Sequence, residues 1–208
     1  LKVVIYGETY QESFLYARQV AEREGMVFIH GFDDPLIISG QGTVALEIME
    51  ELPETGLIVV PVGGGGLVAG VLAAVKERHP RVKVVGVQAS GAPSMYRSWQ
   101  TGQVFEIAQI KTMAEGIAVK KPGQLTFELV RRWIDDIVLV TEEEIREGML
   151  TLLRDGRVLA EAAGAVSVAA FLARKIKAAE KTVCVVSGGN VELKNLLKPG
   201  EEEDGHKN

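Results

Sequence analysis

The most constraining stretch of the chain is Leu57-Ile58-Val59-Val60-Pro61-Val62, followed by four glycines, Gly63, Gly64, Gly65 and Gly66, and then by Leu67-Val68-Ala69-Gly70. A continuous apolar run of this kind reads as a strand covered on both faces, because a half-exposed strand would alternate. Covering both faces takes helices on two sides, which points to an α/β architecture. The glycines do more than end the strand. Successive glycines let neighbouring backbone N–H groups point into one concavity, and no side chain stands in the way of an approaching anion. A helix starting at Leu67 adds the positive end of its dipole. On physical grounds this is a phosphate cradle. The alternative is a tight strand-to-helix turn that holds nothing, for which one glycine would suffice.

The rest of the chain alternates in the same way. Residues 2–6 form a β-rich run closed by Gly7, and residues 10–24 read as a helix stopped by Gly25. Residues 26–30 read as a second strand, and Gly31-Phe32-Asp33-Asp34-Pro35 as a turn where the chain crosses between domains. Helices are expected at 41–52, from Leu67 to about Arg78, from Pro93, at 125–133, at 142–154 and at 162–175. Thr141 with Glu144 forms a capping box for the helix at 142–154. Further strands are expected at 82–88 and 136–140, with a final buried strand at 181–187 that ends at Gly188-Gly189-Asn190. Residues 113–121 are less regular. Residues 199–208 are acidic, contain glycine and read as disordered. Strand–helix alternation with apolar strands means a mostly parallel sheet wrapped by helices.

Charge and composition exclude several classes. The net charge of −5 leaves no basic excess for nucleic acid or an anionic membrane. The single cysteine, Cys184, has no internal partner, which favours a reducing, cytoplasmic setting. The longest apolar stretch, residues 158–173, is short for a bilayer and contains Glu161. No signal-peptide pattern opens the chain, and its first residue is Leu1, which suggests a cut or processed chain.

Which phosphate would the cradle hold? Gly64, Gly66 and Ala69 satisfy G-x-G-x-x-A, so a dinucleotide-binding oxidoreductase has to be weighed. That fold places an acidic residue at the end of the following strand to hold a ribose. Here the strand ends at Gln88, with Ala89 and Ser90 after it. No nucleoside-triphosphate loop, G-x-x-x-x-G-K-[ST], occurs. His30, His79 and His206 lack ligand spacing and read as structural or surface residues. Asp135-Asp136 and Glu142-Glu143-Glu144 read as a strand entry and a helix first turn. Cys184 reads as an inert core thiol, and Trp99 and Trp133 as packing residues.

The second loop, Ser187-Gly188-Gly189-Asn190, places a hydroxyl and small residues at the carboxyl end of a strand, where ligands sit in open α/β sheets. With it the chain resembles the fold-type II pyridoxal-phosphate enzymes, and among them the short catabolic-type threonine dehydratases. The matching stretches are Phe32-Asp33-Asp34-Pro35, Gly40-Gln41-Gly42-Thr43, the run from Pro61 to Leu67, Glu115-Gly116-Ile117-Ala118-Val119, the run from Arg131 to Glu144, Glu161-Ala162-Ala163-Gly164-Ala165, and Ser187 to Asn190.

The resemblance implies a two-lobed fold like the β subunit of tryptophan synthase, with its N-terminal part missing. Residues 1–32 would be a remnant of the small lobe, and residues 33–198 most of the large, cofactor-binding lobe. Gly63, Gly64, Gly65 and Gly66, with the Leu67 N–H, would hold the phosphate of pyridoxal 5′-phosphate. The Ser187 hydroxyl, followed by Gly188, would meet the pyridine nitrogen. A neutral alcohol there leaves that nitrogen largely unprotonated, which suits elimination better than transamination. Glu161, Glu115 and Gly116 would lie beside the cofactor ring. The implied reaction is dehydration and deamination of L-threonine, or of L-serine, to a 2-oxo acid and ammonia.

The chain departs from that pattern in two places. The family's Schiff-base lysine belongs to an earlier segment, followed by Ser-x-x-Asn-His, and neither occurs here. Lys76, Lys83, Lys111, Lys120 and Lys121 lack the required surroundings, so the chain alone is expected to be inactive. The related serine racemases hold a divalent metal where this chain has Gln88, Ala92 and Ser94. Charged oxygens are missing at the first and last of these positions, so no metal is expected. The expected partners are a small amino acid, the missing N-terminal segment of the same enzyme and, when complete, further copies of it. No nucleic acid and no membrane are expected. Two other readings stay open: a non-catalytic module that keeps the phosphate site, and a Rossmann-type NAD oxidoreductase.

Overall fold

The structure is a computed structural model and describes residues 2–8 and 10–191. Four strands form one parallel sheet: β1 (Leu57–Pro61), β2 (Lys83–Ala89), β3 (Asp136–Val140) and β4 (Thr182–Cys184), in the order β3-β2-β1-β4. Seven α-helices and a 3-10 turn (Glu115–Ile117) accompany it among the described residues: α1 (Tyr10–Glu24), α2 (Pro35–Glu51), α3 (Gly66–Arg78), α4 (Ser94–Thr101), α5 (Gln124–Trp133), α6 (Glu142–Arg154) and α7 (Ala162–Leu172).

Every residue of β1 is buried, as its unbroken apolar run requires. Alternate side chains serve opposite faces. Leu57 and Val59, with Val85 and Val87 of β2, pack on α6 and α7. Ile58 and Val60, with Val84, pack on α2, α3 and α5. Enclosing one such aliphatic side chain is worth about 2 kcal/mol, so the two-sided cover stabilises the central strands most. The register is set at the strand entries as well. Lys76 Nζ, on the last turn of α3, donates to Asp135 Oδ2 at 2.5 Å and to Val82 O at 3.0 Å. The same carboxylate accepts the Val84 N–H.

Two consecutive aspartates start two different helices. Asp34 caps α2, its Oδ1 accepting the N–H groups of Leu36 and Ile37, with Pro35 at the first helical position. Asp33 instead reaches α5, whose own N-cap, Gly123, has no side chain to offer. The Asp33 carboxylate accepts the N–H groups of Gln124 and Thr126, both at 3.0 Å. Thr141 and Glu144 make the expected capping box on α6.

Several sequence expectations need correction. Residues 2–6 and 26–30 form no strand, and Val3, Ile5, Val27 and Ile29 lie exposed. β-rich composition does not make a strand without a neighbour to pair with. Helix α2 begins at Pro35, inside the stretch read as a turn, and α7 ends at Leu172, ahead of Arg174 with its φ of 55°. β4 is shorter than expected. It is a half-buried edge strand, although the Val185 N–H still donates to Val59 O. The acidic segment 199–208 lies outside the described residues. Among the described residues, no helix is long and apolar enough to cross a membrane.

Candidate functional site

The loop after β1 is built from its carbonyls outward. Gly64 O accepts the Thr126 Oγ1 proton at 2.7 Å and the Gly123 N–H at 3.3 Å. Gly65 O accepts the Ala69 N–H in the first turn of α3. In a trans peptide the next N–H points opposite to its carbonyl. The N–H groups of Gly65 and Gly66 therefore turn away from α5 and α3, into the open side of the loop. Among the described residues, none of the N–H groups from Gly63 to Leu67 has a protein acceptor. Gly64, Gly65 and Gly66 are buried. Buried N–H groups are nearly always paired in folded proteins, so this loop lacks an acceptor that a bound anion would supply.

The glycines are also demanded by protein neighbours, which corrects the simple picture of a loop kept bare for the anion. A Cβ on Gly64 would sit 2.5 Å from the Phe32 ring, and one on Gly63 would sit 3.0 Å from Ile117 Cα. Gly65 has φ of 100° and would meet Met95 and Thr126, while Gly66 would meet Phe32 again. Close packing and left-handed backbone together exclude side chains here.

The loop opens on a cavity of about 480 Å³. Of the residues singled out from the sequence, Gly63, Gly64, Gly65, Gly66, Leu67, Glu115, Gly116 and Ser187 line it. Ser187 follows β4, the neighbour of β1, so the hydroxyl and the glycine loop leave adjacent strand ends. Gly188 and Glu161 do not line the cavity but stand behind it. The Glu161 N–H donates to Gly188 O at 3.0 Å, and Gly164 gives that loop room against α7. The Glu161 carboxylate does not cap its own helix. It lies against Gly188 and Gly116, with Oε1 3.1 Å from where a Gly116 Cβ would be.

Among the described residues, no lysine lines this cavity. Lys76 is engaged by Asp135, and Lys120 and Lys121 border a smaller neighbouring recess. Gln88 and Ser94 are buried and in use. Gln88 Oε1 accepts the Tyr96 N–H, and Ser94 Oγ donates to Val119 O. The end of β2 thus presents no carboxylate to a ribose. His30 is structural: its Nδ1 accepts the N–H groups of Phe32 and Asp33, and burial pushes its pKa below the usual value.

Sequence reasoning missed Tyr10, which lines the cavity without any motif to mark it. It also missed the roles of Asp33 and Thr126, since a cap supplied from about ninety residues away leaves no local pattern.

Residues 1–188 match the family described as pyridoxal-phosphate dependent enzyme. The chain belongs to that family. Members of the pyridoxal-phosphate dependent enzyme family take pyridoxal 5′-phosphate as cofactor, and the cradle of unpaired N–H groups fits its phosphate. The chain is similar to the L-threonine ammonia-lyase of Geobacter sulfurreducens, at 46% identity over 94% of this chain and 49% of the relative. It is similar to the catabolic L-threonine dehydratase TdcB of Escherichia coli K12, at 41% identity over 94% of this chain and 60% of the relative. Maize serine racemase has the same fold, with a TM-score of 0.88, 32% identity, and coverage of 94% of this chain and 61% of that one. The chain thus spans between about half and three-fifths of the length of these proteins, and the fold-type II assignment made from the motifs holds.

Proposed function

We propose that this chain forms the larger part of the cofactor lobe of a lyase that converts L-threonine, or L-serine, into a 2-oxo acid and ammonia. One observation carries the reading. The glycine loop, whose N–H groups from Gly63 to Leu67 have no protein acceptor among the described residues, and Ser187 line one cavity, which supplies an anion site and a hydroxyl residue of the kinds that a phosphate ester of a pyridine needs. Pyridoxal 5′-phosphate, when bound, supplies an electron sink for the Cα of an amino acid.

The chain's own residues do the rest. The loop N–H groups and the α3 dipole hold the phosphate dianion. Ser187 Oγ would donate a hydrogen bond to the ring nitrogen without giving up its proton. Glu115 and Gly116 would flank the ring, and Glu161, behind Gly188 and Gly116, keeps the Ser187 loop in place. Residues 1–32 are the remnant of a small lobe and 33–198 belong to the large one. The exposed Val3, Ile5, Val27 and Ile29 are covered in the complete enzyme by its remaining segment, and further copies complete the assembly. With no lysine among the described residues that line the cavity, the chain alone binds the cofactor without turnover. Its single, half-buried cysteine suits the cytoplasm.

The test has two arms. The chain titrated with pyridoxal 5′-phosphate should bind it, and borohydride should leave no stoichiometric adduct on any one lysine. In the complete protein, Ser187→Ala should lower threonine-dependent 2-oxo acid release while leaving the fold intact. A single labelled lysine within these residues together with ammonia release by the chain alone, or an unaltered Ser187→Ala enzyme, would overturn the assignment.

A further inference from the structure

We propose that Thr126 is a positioning residue for the phosphate cradle, its hydroxyl fixing the Gly64–Gly65 peptide so that the loop's N–H groups face the cavity. This rests on the reading of the glycine loop as the phosphate site.

The argument starts from what a glycine run lacks. A peptide plane between two glycines can rotate about its flanking bonds with little steric hindrance, since neither residue carries a Cβ. A flip of the Gly64–Gly65 plane would turn the Gly65 N–H away from the cavity and put a carbonyl oxygen in its place. An oxygen there repels a phosphate. The loop has no side chain of its own to prevent this, so the restraint has to come from elsewhere.

Thr126 supplies it. The residue is fully buried, and Oγ1 lies 2.7 Å from Gly64 O and 3.2 Å from Gly123 O. A hydroxyl has one proton, and the shorter bond takes it. The other donor to Gly64 O, the Gly123 N–H, is at 3.3 Å. Thr126 is itself fixed, because Asp33 Oδ1 accepts its N–H and Oδ2 accepts that of Gln124. The Phe32 ring also rests on Gly64, and the Phe32 Cα and Cβ lie against Gly66. The tie runs from Asp33 through the first turn of α5 to Thr126 and on to the loop. None of these side-chain atoms needs to touch the ligand.

The test compares two ligands that differ only in the phosphate: pyridoxine 5′-phosphate and pyridoxine, neither of which has an aldehyde to react with surface lysines. Affinities are read by calorimetry on the chain, on Thr126→Val and on Thr126→Ser. The valine variant should lose about tenfold for the phosphate ester and under about twofold for pyridoxine. Serine should restore the ester's affinity to within about threefold. Equal losses for both ligands, no loss, or failure of serine to rescue would overturn the role. Should the valine variant not fold, Asp33→Asn carries the test. It keeps one acceptor for two N–H groups and should cost the ester about threefold more than pyridoxine; an unchanged ratio overturns the proposal. If the unaltered chain binds both ligands alike, the cradle reading itself fails, and this inference with it.

Discussion

A methyl group at Gly70 should destabilise the chain, although the same change elsewhere in the helix pair should stabilise it. Gly70 of α3 faces α2 at its closest approach. A Cβ there would lie 2.6 Å from Gly42 N, 2.9 Å from Gln41 C and closer still to Ile38 O. All three are backbone atoms, which cannot swing aside as a side chain would. Ordinary contact needs about 3.5 Å, so α2 would have to retreat by roughly 1 Å. Overpacking of this kind costs about 1–3 kcal/mol, and a rigid backbone neighbour puts it near the upper end. Alanine's better helix propensity returns up to about 1 kcal/mol. The net expectation for Gly70→Ala is a loss of about 2 kcal/mol, or roughly 4–8 °C in Tm for a chain of this size. Gly40, in α2, has nothing within 4 Å of its Cβ position. Gly40→Ala should therefore gain about 0.5–1 kcal/mol. Melting both variants beside the parent by circular dichroism checks the pair. A Gly70→Ala chain that melts at or above the parent, or a Gly40→Ala chain that melts as low as it, would refute the close-packing argument.

Lys76→Met should cost about 2 kcal/mol in urea unfolding, because it leaves the Asp135 charge with only the Val84 N–H; adding Asp135→Asn should recover part of that loss, and a harmless single change would show the ion pair to be idle. Burial raises the Cys184 thiol to about 11, so at pH 8 native Cys184 should be alkylated roughly a hundredfold more slowly than in urea, and equal rates would contradict its enclosure. Burial lowers the His30 pKa, with Arg18 assisting and Asp33 and Asp34 opposing. The unfolded chain thus takes up that proton first, and His30's contribution to stability is complete above about pH 6.5. It is lost as the pH falls through the depressed native value. His30→Asn keeps an acceptor but cannot titrate, so it should lack that part of the acid loss, and an identical pH profile would count against the Nδ1 bonds.

The sheet was legible where both faces of a strand are covered, because burial on two sides leaves an unbroken apolar run. β1 and β2 carry that run. The glycine loop was legible for a related reason, since glycine repeated four times has few structural uses. Residues 2–6 and 26–30 misled because their composition favours extended backbone, while pairing depends on a neighbour that composition cannot supply. The start of α2 was missed although Asp34 and Pro35 are a cap and a first helical residue; the glycines at positions 40 and 42 obscured the helical pattern that follows. The supports of the site, Asp33 and Thr126, act through backbone groups far away in the chain, and no spacing rule links them. Glu161 was read beside the cofactor ring but does not line the cavity, and its place against Gly188 required the packing of α7.

The pairing of β4 with β1 has a consequence in time. Leu57 pairs with Thr182 across more than half of the chain, whereas β2 adds to β1 and β3 adds to β2 across shorter stretches. Long-range pairings of this kind close late, because loop entropy opposes them until the intervening chain has condensed. During synthesis the glycine loop and its restraint at Thr126 can therefore form while the strand leading to Ser187 has yet to emerge. The cavity would pass through a stage with its glycine loop in place and Ser187 absent, while the sheet still lacks its last strand.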